Sequence, residues 1–262
     1  TEVYGQYVDL IGVNPNAVQR IEQIPFLPIS CFKTHKIISK PHEPQIVFSS
    51  SGTSGMTASR HFVADISLYK KSYIKGFKHF YGSPSDYCIL ALLPSYLERE
   101  GSSLIYMVDD LIKQSKYPQS GFYLDEFDQL ASVLSAVNEQ NIPCILLGVS
   151  YALLDLADLY PMDLCKTIIM ETGGMKGNRP ELSKNQLHQA LCEAFNSNKI
   201  HSEYGMTELL SQAYSKGDGL FSCPPWMQVR IRDPYDPFSN LEPGRAGGIN
   251  IIDLANQHAC AF

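Results

Sequence analysis

A loop rich in hydroxyl groups and glycines follows the apolar residues 45–48. Its members are Ser50, Ser51, Gly52, Thr53, Ser54 and Gly55. Glycines let a backbone turn sharply and approach a ligand closely, and consecutive backbone N–H groups can converge into a concavity that binds an anion. Serine and threonine hydroxyls add further donors. The loop therefore predicts a polyphosphate-binding site, with an ordinary surface loop as the alternative, since serine and glycine dominate loops.

This loop differs from the Walker P-loop, because no Gly-Lys-Ser/Thr sequence follows its glycines. The nearest cation is Arg60. Binding of a polyphosphate would therefore depend on local dipoles and a bound cation.

A second segment, residues 204–208, pairs an aromatic ring with a carboxylate four residues later. It reads Tyr204, Gly205, Met206, Thr207 and Glu208. An aromatic ring can stack on a purine, and a glutamate suits Mg²⁺, which prefers one or two protein carboxylates together with phosphate oxygens. Thr207 can donate to a phosphate oxygen, and Gly205 keeps the backbone close to a ligand. The alternative is a turn with a solvated Glu208 and a packed Tyr204.

A third segment, Gly173, Gly174 and Met175, follows an apolar run. Its backbone groups could approach the edge of an adenine ring. The pattern is weak by itself, because Gly-Gly is common in turns.

Composition excludes several classes of protein. The 262 residues carry a net charge of −6 with no cluster of Lys and Arg, which argues against a nucleic-acid partner. No apolar run reaches the roughly 18 residues that a membrane span needs, and no signal peptide opens the chain. The seven cysteines are odd in number and irregularly spaced. They predict reduced, mostly buried thiols in a cytoplasmic protein, and no zinc site.

Apolar strands alternate with amphipathic helices along most of the chain. This pattern predicts an α/β fold of mostly parallel sheets covered by helices, with a β-rich C-terminal quarter. We expect one large domain with an α/β part over residues 1–220 and a β-rich part over residues 221–262. The predicted strands are residues 45–48, 86–93, 144–147, 165–170, 199–202, 227–232 and 248–254, with a last strand at 259–262. The predicted helices are residues 62–81, opening near Asp65 and closing at Gly82, residues 125–140, residues 151–159 and one with Pro180 in its first turn.

Ligands of open α/β sheets bind beyond the carboxyl ends of the strands. The polar segments 50–55, 172–175 and 203–208 each follow a predicted strand. We therefore expect the three segments to converge at one edge.

The spacing of these segments resembles the adenylate-forming superfamily, which makes acyl-adenylates from carboxylic acids and ATP. The chain resembles in particular the acyl-protein synthetase family of bacterial bioluminescence, a relative of phenylacetate–CoA ligase. Besides residues 50–55 and 204–208, the resemblance rests on residues 24–29, 173–177, 202–212 and 224–227.

This resemblance implies a cytoplasmic bacterial ligase that uses ATP and Mg²⁺. Residues 50–55 would hold the β- and γ-phosphates, Gly173, Gly174 and Met175 would line the adenine, and Tyr204 would stack on it. Thr207 would contact the α-phosphate, and Glu208 would hold Mg²⁺. The implied substrate is a fatty acid, transferred as a thioester to a protein cysteine, so that an acyl-acceptor or reductase protein is the expected partner.

The chain departs from the family's pattern in two ways. Ala58 stands where many members carry a lysine, although the phenylacetate branch also lacks it. The sequence also stops before the expected ribose-binding aspartate, so we expect a fragment that lacks the small C-terminal domain. Cys260, in the predicted last strand, is expected to be an inert thiol rather than an acyl acceptor.

Two other functions remain open on the sequence alone. One is an acyl- or aryl–coenzyme A ligase, for which the size of the acid pocket would discriminate. The other is a non-catalytic nucleotide-binding or scaffold subunit. Apolar residues 93–97 and 103–107 are candidates for the wall of the acid pocket.

Overall fold

The computed structural model describes residues 1–50, 57–94, 101–124, 126–175 and 179–262. The chain divides into two compact units. Unit 1 comprises Thr1–Ser72, Met206–Ser211 and Cys223–Phe262, and unit 2 comprises Tyr73–Gly205 and Gln212–Ser222. The sequence-based boundary after residue 220 stays a prediction.

Helices and strands alternate through the middle of the chain. The described α-helices are α1 (Glu2–Leu10), α2 (Cys31–Thr34), α3 (Ile66–Tyr81), α4 (Ser103–Gln114), α5 (Phe127–Glu139), α6 (Ser150–Leu159) and α7 (Lys184–Phe195). The described strands are β1 (Ile46–Ser49), β2 (Arg60–Val63), β3 (Cys88–Leu92), β4 (Gly121–Phe122), β5 (Cys144–Val149), β6 (Thr167–Thr172), β7 (His201–Tyr204), β8 (Ala213–Ser215), β9 (Phe221–Ser222), β10 (Met227–Arg232) and β11 (Gly248–Asp253).

Unit 2 is built on a seven-stranded sheet with the order β4-β3-β5-β6-β7-β8-β9. The ladders from β4 to β7 are parallel, and those from β7 to β9 are antiparallel. Strands β3 and β5 are buried along their whole length. Continuous apolar strands of this kind are buried on both faces, and the helices that connect them supply the cover. The predicted α/β fold with a mostly parallel sheet is confirmed.

Helix α5 shows why the connecting segments are helical. Its buried residues Leu130, Ala131, Leu134 and Val137 recur at helical spacing. Its polar residues lie on the opposite side and are exposed. The helix therefore has one apolar stripe to bury.

Unit 1 contains two antiparallel strand pairs. Strand β1 pairs with β2, with Ile46 opposite Val63, and β10 pairs with β11, with Met227 opposite Asp253. Both predicted C-terminal strands, 227–232 and 248–254, are confirmed to within one residue.

The expected opening of the 62–81 helix near Asp65 is confirmed, although the first residues of that range are not helical. Residues 60–63 form β2, whose side chains alternate between buried and less buried positions, and the helix starts at Ile66. Asp65 Oδ1 accepts a hydrogen bond from Ser67 N at 2.8 Å, and Gln45 Oε1 accepts one from Ile66 N at 2.9 Å. These side chains occupy the first free N–H groups of the helix and fix its start.

Several other predicted boundaries were wrong. Pro180 lies before α7. The helix begins at Lys184, directly after Ser183, which forms a capping box with Gln186. Strands β6 and β7 each begin two residues later than predicted. No strand forms at residues 259–262, although Phe262 and Ile251 exchange two backbone hydrogen bonds.

Candidate functional site

Two of the three predicted polar segments lie at one edge of the unit 2 sheet. Strands β6 and β7 are parallel neighbours, with Thr172 opposite Glu203. Their carboxyl ends therefore bring Gly173 and Tyr204 to the same edge. Gly173 has φ +67°, a left-handed conformation that favours glycine, so the chain can turn directly after β6.

The residues after this turn differ in exposure. Among the described residues, no atom lies within 4 Å of the position that a Cβ would take at Gly174. A ligand could therefore approach the backbone closely there. Met175 is only 2% exposed, so its side chain packs inside the protein. The roles of all three residues at an adenine stay predictions.

Tyr204, the last residue of β7, is half-buried. Its ring meets Phe221 edge-on, with centroids 6.0 Å apart and an interplanar angle of 68°. Lys184 Nζ lies 5.6 Å from the centre of the Phe221 ring. Edge-to-face packing orients an aromatic ring, so these side chains help to fix the plane of Tyr204.

Glu203 is a buried acid for which no role was predicted from the sequence. It is 6% exposed, and Thr172 Oγ1 donates to its Oε2 at 2.6 Å. Burial raises the pKa of Glu203 to about 7; the hydrogen bond from Thr172 opposes this rise and the nearby Glu171 charge adds to it. No clear sequence signal identified it, because β7 reads His-Ser-Glu-Tyr and Glu203 follows the end of the predicted strand.

Thr207 and Glu208 lie at the centre of a turn in unit 1. Leu209 N donates to Met206 O at 3.1 Å and closes this turn. His61 Nδ1 donates to Thr207 O at 2.9 Å, and Asn256 Nδ2 donates to Glu208 O at 2.7 Å. Burial lowers the pKa of His61 to about 4, so the ring is neutral and its Nδ1 carries the proton that the carbonyl needs.

The residues after this turn are held by a second set of buried groups. Asp253 accepts hydrogen bonds from Leu210 N at 3.1 Å and from Ser211 Oγ at 2.7 Å. Trp226 Nε1 donates to Ser211 Oγ and to Ser72 Oγ, each at 3.0 Å. The backbone from Met206 to Ser211 is thus fixed at both ends. No local sequence pattern predicts these contacts, because most of the partners are distant along the chain.

The Glu208 side chain contrasts with its well-bonded backbone. The residue is 6% exposed, yet in the part of the chain that the structure describes no hydrogen bond or ion pair involves its carboxylate. Its oxygens are suited to a hard cation.

Ser50 is the one member of the predicted phosphate loop within the described residues. Its Oγ accepts a hydrogen bond from Ser59 N at 2.9 Å, and its own N donates to Ser59 O at 3.0 Å. The loop follows β1, which belongs to a two-stranded antiparallel pair rather than to the parallel sheet. The expectation that all three segments follow strands of one parallel sheet was therefore wrong. Ser51, Gly52, Thr53, Ser54 and Gly55 lie outside the described residues.

The cysteines are all free in the structure. Only Cys88 and Cys144 are fully buried, and Cys165 is exposed, so the prediction of mostly buried thiols was only partly correct. Cys260 is half-buried, and burial raises its pKa to about 12. A thiol so far from ionisation is a poor nucleophile.

Within the described residues, no cluster of three or more His, Cys, Asp or Glu side chains has the arrangement of a metal site. None of the helices in this part of the chain combines the length and the apolar character needed to cross a membrane.

The fold is shared with solved adenylate-forming ligases. One is a 2-hydroxyisobutyryl-CoA ligase in the postadenylation state with 2-HIB-AMP, at TM-score 0.69 and 14% identity over 96% of this chain and 55% of that one. A second is the O-succinylbenzoate coenzyme A synthetase of Bacillus subtilis with ATP and magnesium, at TM-score 0.50 and 17% identity over 78% and 40%. A four-domain nonribosomal peptide synthetase bound to AMP and glycine aligns at TM-score 0.54 and 14% identity over 82% and 15%.

These similarities establish the fold: an α/β unit with a mostly parallel sheet, as in the N-terminal domain of adenylate-forming enzymes. The chain spans 61% and 55% of the lengths of two structures of the 2-hydroxyisobutyryl-CoA ligase. No protein-family model and no curated protein matches it.

Proposed function

We propose that this chain is the ATP-binding part of a ligase that joins a carboxylic acid to ATP as an acyl-adenylate and releases pyrophosphate. The shared fold and the 204–208 segment support this assignment. Several proteins with this fold were solved with an adenylate, with AMP, or with ATP and magnesium.

The observation that carries the proposal is the state of Glu208. Its backbone is held by the turn and by Asn256. The residue as a whole is 6% exposed, and its carboxylate has no hydrogen bond or ion pair in the described part of the chain. Mg²⁺ bound with phosphate oxygens needs only one or two protein carboxylates, so the absence of a three-ligand cluster there is compatible with this role.

The other predicted site residues take their roles around ATP. Tyr204 would stack on the adenine beside Gly205 and Met206, and the backbone at Gly173 and Gly174 would approach the edge of the base. Residues 50–55 would bind the β- and γ-phosphates.

The reaction is limited by charge, because the acid and the α-phosphate are both anionic. When bound, Mg²⁺ neutralises charge on the phosphate oxygens. The Thr207 hydroxyl would donate a hydrogen bond to an α-phosphate oxygen as negative charge develops there. The neutral His61 holds the Thr207 carbonyl and so limits the movement of this hydroxyl.

The acid is proposed to place its acyl part in a cavity of unit 2, which we call the Glu203 cavity. It is lined by Glu203 and nine apolar or aromatic side chains, among them Met107 of α4 and Met170 of β6. Met107 belongs to the segment 103–107 that the sequence suggested as a pocket wall. The space in this cavity that is open to the centre of a water molecule is about 20 Å³.

This space has room for about one water, which needs about 10–15 Å³ measured in this way. An acid of any length therefore enters only if side chains move, and a compact acid needs the least movement. An acyl- or aryl–coenzyme A ligase for a short acid is therefore the second candidate function, beside the fatty acyl-protein synthetase that the family resemblance suggests. The high pKa of Cys260 argues against this thiol as the acceptor, so we propose that the acceptor is coenzyme A or another cysteine.

Pyrophosphate exchange with a panel of carboxylic acids tests the proposal. We expect exchange that depends on an acid, with compact acids more active than long-chain acids, and a thiol-exchange assay would then compare coenzyme A with protein acceptors. Mg-ATP binding without exchange for any acid would favour the non-catalytic nucleotide-binding subunit. Absence of both would refute the proposal.

A further inference from the structure

Among the described residues that line the Glu203 cavity, Glu203 is the only carboxylic acid. The other side chains are apolar or aromatic, and of these only Tyr214 carries a hydroxyl. Glu203 lies at the carboxyl end of the sheet, one residue before Tyr204. Successive side chains of a strand point to opposite faces. The Glu203 carboxyl therefore faces the cavity, and the Tyr204 ring lies on the other face.

The hydrogen bonds to this carboxyl are incomplete. Within the described part of the chain, Thr172 Oγ1 donates to Oε2, and no donor reaches Oε1. The Oε1 atom lies beside Gly205, 2.7 Å from the position that a Cβ would take there. A side chain at residue 205 would displace the carboxyl, so glycine keeps this space for Oε1.

A second unpaired acceptor lies close by. Gln212 is 6% exposed, and its Oε1 is buried with no hydrogen-bond partner. Its Cγ is 3.8 Å from the same Cβ position at Gly205, so the two side chains flank this glycine. Buried acceptors without donors are unfavourable unless a ligand or water supplies the hydrogen.

We propose that Glu203 selects an acid whose compact acyl part carries a hydrogen-bond donor, a hydroxyl or an ammonium group, over the acid in which a methyl group replaces that donor. The inference rests on the proposed function, because it takes the Glu203 cavity as the acid site. Gln212 lies beside Gly205 but does not line the cavity, so the selecting group is the Glu203 carboxyl. A donor on the ligand would complete the hydrogen bonding of its Oε1. A methyl group would leave this oxygen unpaired, and sites built to hydrogen-bond a substrate reject the analogue that lacks the polar group.

Direct binding of matched acids tests this inference without turnover. The probes are lactate against isobutyrate, 3-hydroxybutyrate against 3-methylbutyrate, 4-hydroxybenzoate against 4-methylbenzoate, and 4-aminobutyrate against pentanoate. Binding is followed by NMR of ¹³C-methyl methionine, with Met107 and Met170 as reporters inside the cavity.

We expect at least one donor acid to shift both reporters and to bind about tenfold or more tightly than its methyl partner. Glu203→Leu should remove this preference. Glu203→Gln, which keeps the shape and an acceptor, should retain part of it, and Glu181→Gln at an exposed position should leave it unchanged. Equal affinities within every pair, or a preference for the methyl acids, would overturn the inference, and the wild-type protein alone decides this if the variants do not fold.

Mg-ATP binding separates this inference from the proposed function. ATP binding with no selective response of Met107 and Met170 to any acid would refute the role of Glu203 and leave the ATP site standing. A selective response to donor acids without Mg-ATP binding would retain the acid site and refute the ligase.

Discussion

At the scale of single residues, Thr207 and Glu208 are fixed through their carbonyl groups. His61 and Asn256 donate to these carbonyls from elsewhere in unit 1. Because the backbone is held in this way, both side chains stay available to a ligand. Such preorganisation matters for binding, because a side chain that is already in place has less freedom to lose.

Asn256→Ala tests the support of Glu208. The variant leaves the Glu208 carbonyl without its donor in a buried position, which should lower the free energy of unfolding by about 1–3 kcal/mol. Mg-ATP affinity should fall about tenfold, as it does when groups that orient a metal ligand are lost. Urea unfolding and calorimetric titration measure the two effects.

The control for this experiment is Asn16→Ala, at an exposed position, which should change neither quantity. Reduced stability with unchanged Mg-ATP affinity would show that Asn256 supports the fold and not the site.

Glu203→Gln tests the pKa of the buried acid. Because the pKa of Glu203 is about 7 in the folded protein, against about 4.5 for the ordinary side chain, its contribution to stability is full below about pH 4.5. That contribution is lost as the pH rises to about 7. The glutamine cannot ionise, so the variant should gain about 3 kcal/mol relative to wild type between pH 4 and pH 8.

The measurement is urea unfolding across this pH range, with Glu181→Gln as the exposed control. Thr172 and Glu171 contribute to this difference, because both change the pKa of Glu203 and the glutamine has no charge for them to act on. Parallel stability curves for wild type and Glu203→Gln would show that the acid titrates normally.

At the scale of elements, α7 is anchored to the sheet next to the 173–175 segment. Lys184 Nζ lies 2.5 Å from the buried carboxylate of Glu171 on β6, and His188 Nε2 lies 3.4 Å from it. The helix starts at a capping box of Ser183 and Gln186 and ends at Asn196, which has φ +48°. Its first turn therefore depends on Ser183 for the position of Lys184.

Ser183→Ala should destabilise the protein by about 1 kcal/mol, because a backbone N–H of the first turn loses its acceptor. The matched control is Ser132→Ala in α5. Ser132 is exposed and donates to the Asp128 carbonyl of the preceding turn, so its loss should change stability by no more than about 0.5 kcal/mol. Chemical denaturation measures both, and equal effects would show that the cap contributes nothing.

The start of helix α7 was predicted wrongly. Pro180 suits a first turn, but the capping box three residues later fixes the start. The Ser-x-x-Gln pattern at 183–186 was a usable signal. Strand β2 was harder to predict from the sequence, because its four residues precede an uninterrupted helical pattern. Its partner β1 is separated from it along the chain by residues 50–59.

At the scale of the whole chain, the alternation of apolar strands and amphipathic helices was sufficient to predict a mostly parallel α/β sheet. The sheet edge with Gly173 and Tyr204 followed from that, since parallel neighbours end on the same side. The pairing of β1 with β2 did not follow, because strand pairing depends on contacts distant in sequence. For the same reason, the support of Thr207 and Glu208 by His61 and Asn256 was not predicted.

Mg-ATP binding by Glu208→Gln is the most direct test of the central claim that this carboxylate holds Mg²⁺ for ATP. Calorimetry compares wild type, Glu208→Gln and the exposed control Glu181→Gln, each with Mg²⁺ and with a chelator. We predict that Mg-ATP affinity falls about tenfold to a hundredfold in Glu208→Gln only, as for the loss of a charge-assisted contact, while the weak binding of ATP without metal is unchanged. Equal Mg-ATP affinity in Glu208→Gln and wild type would contradict the account.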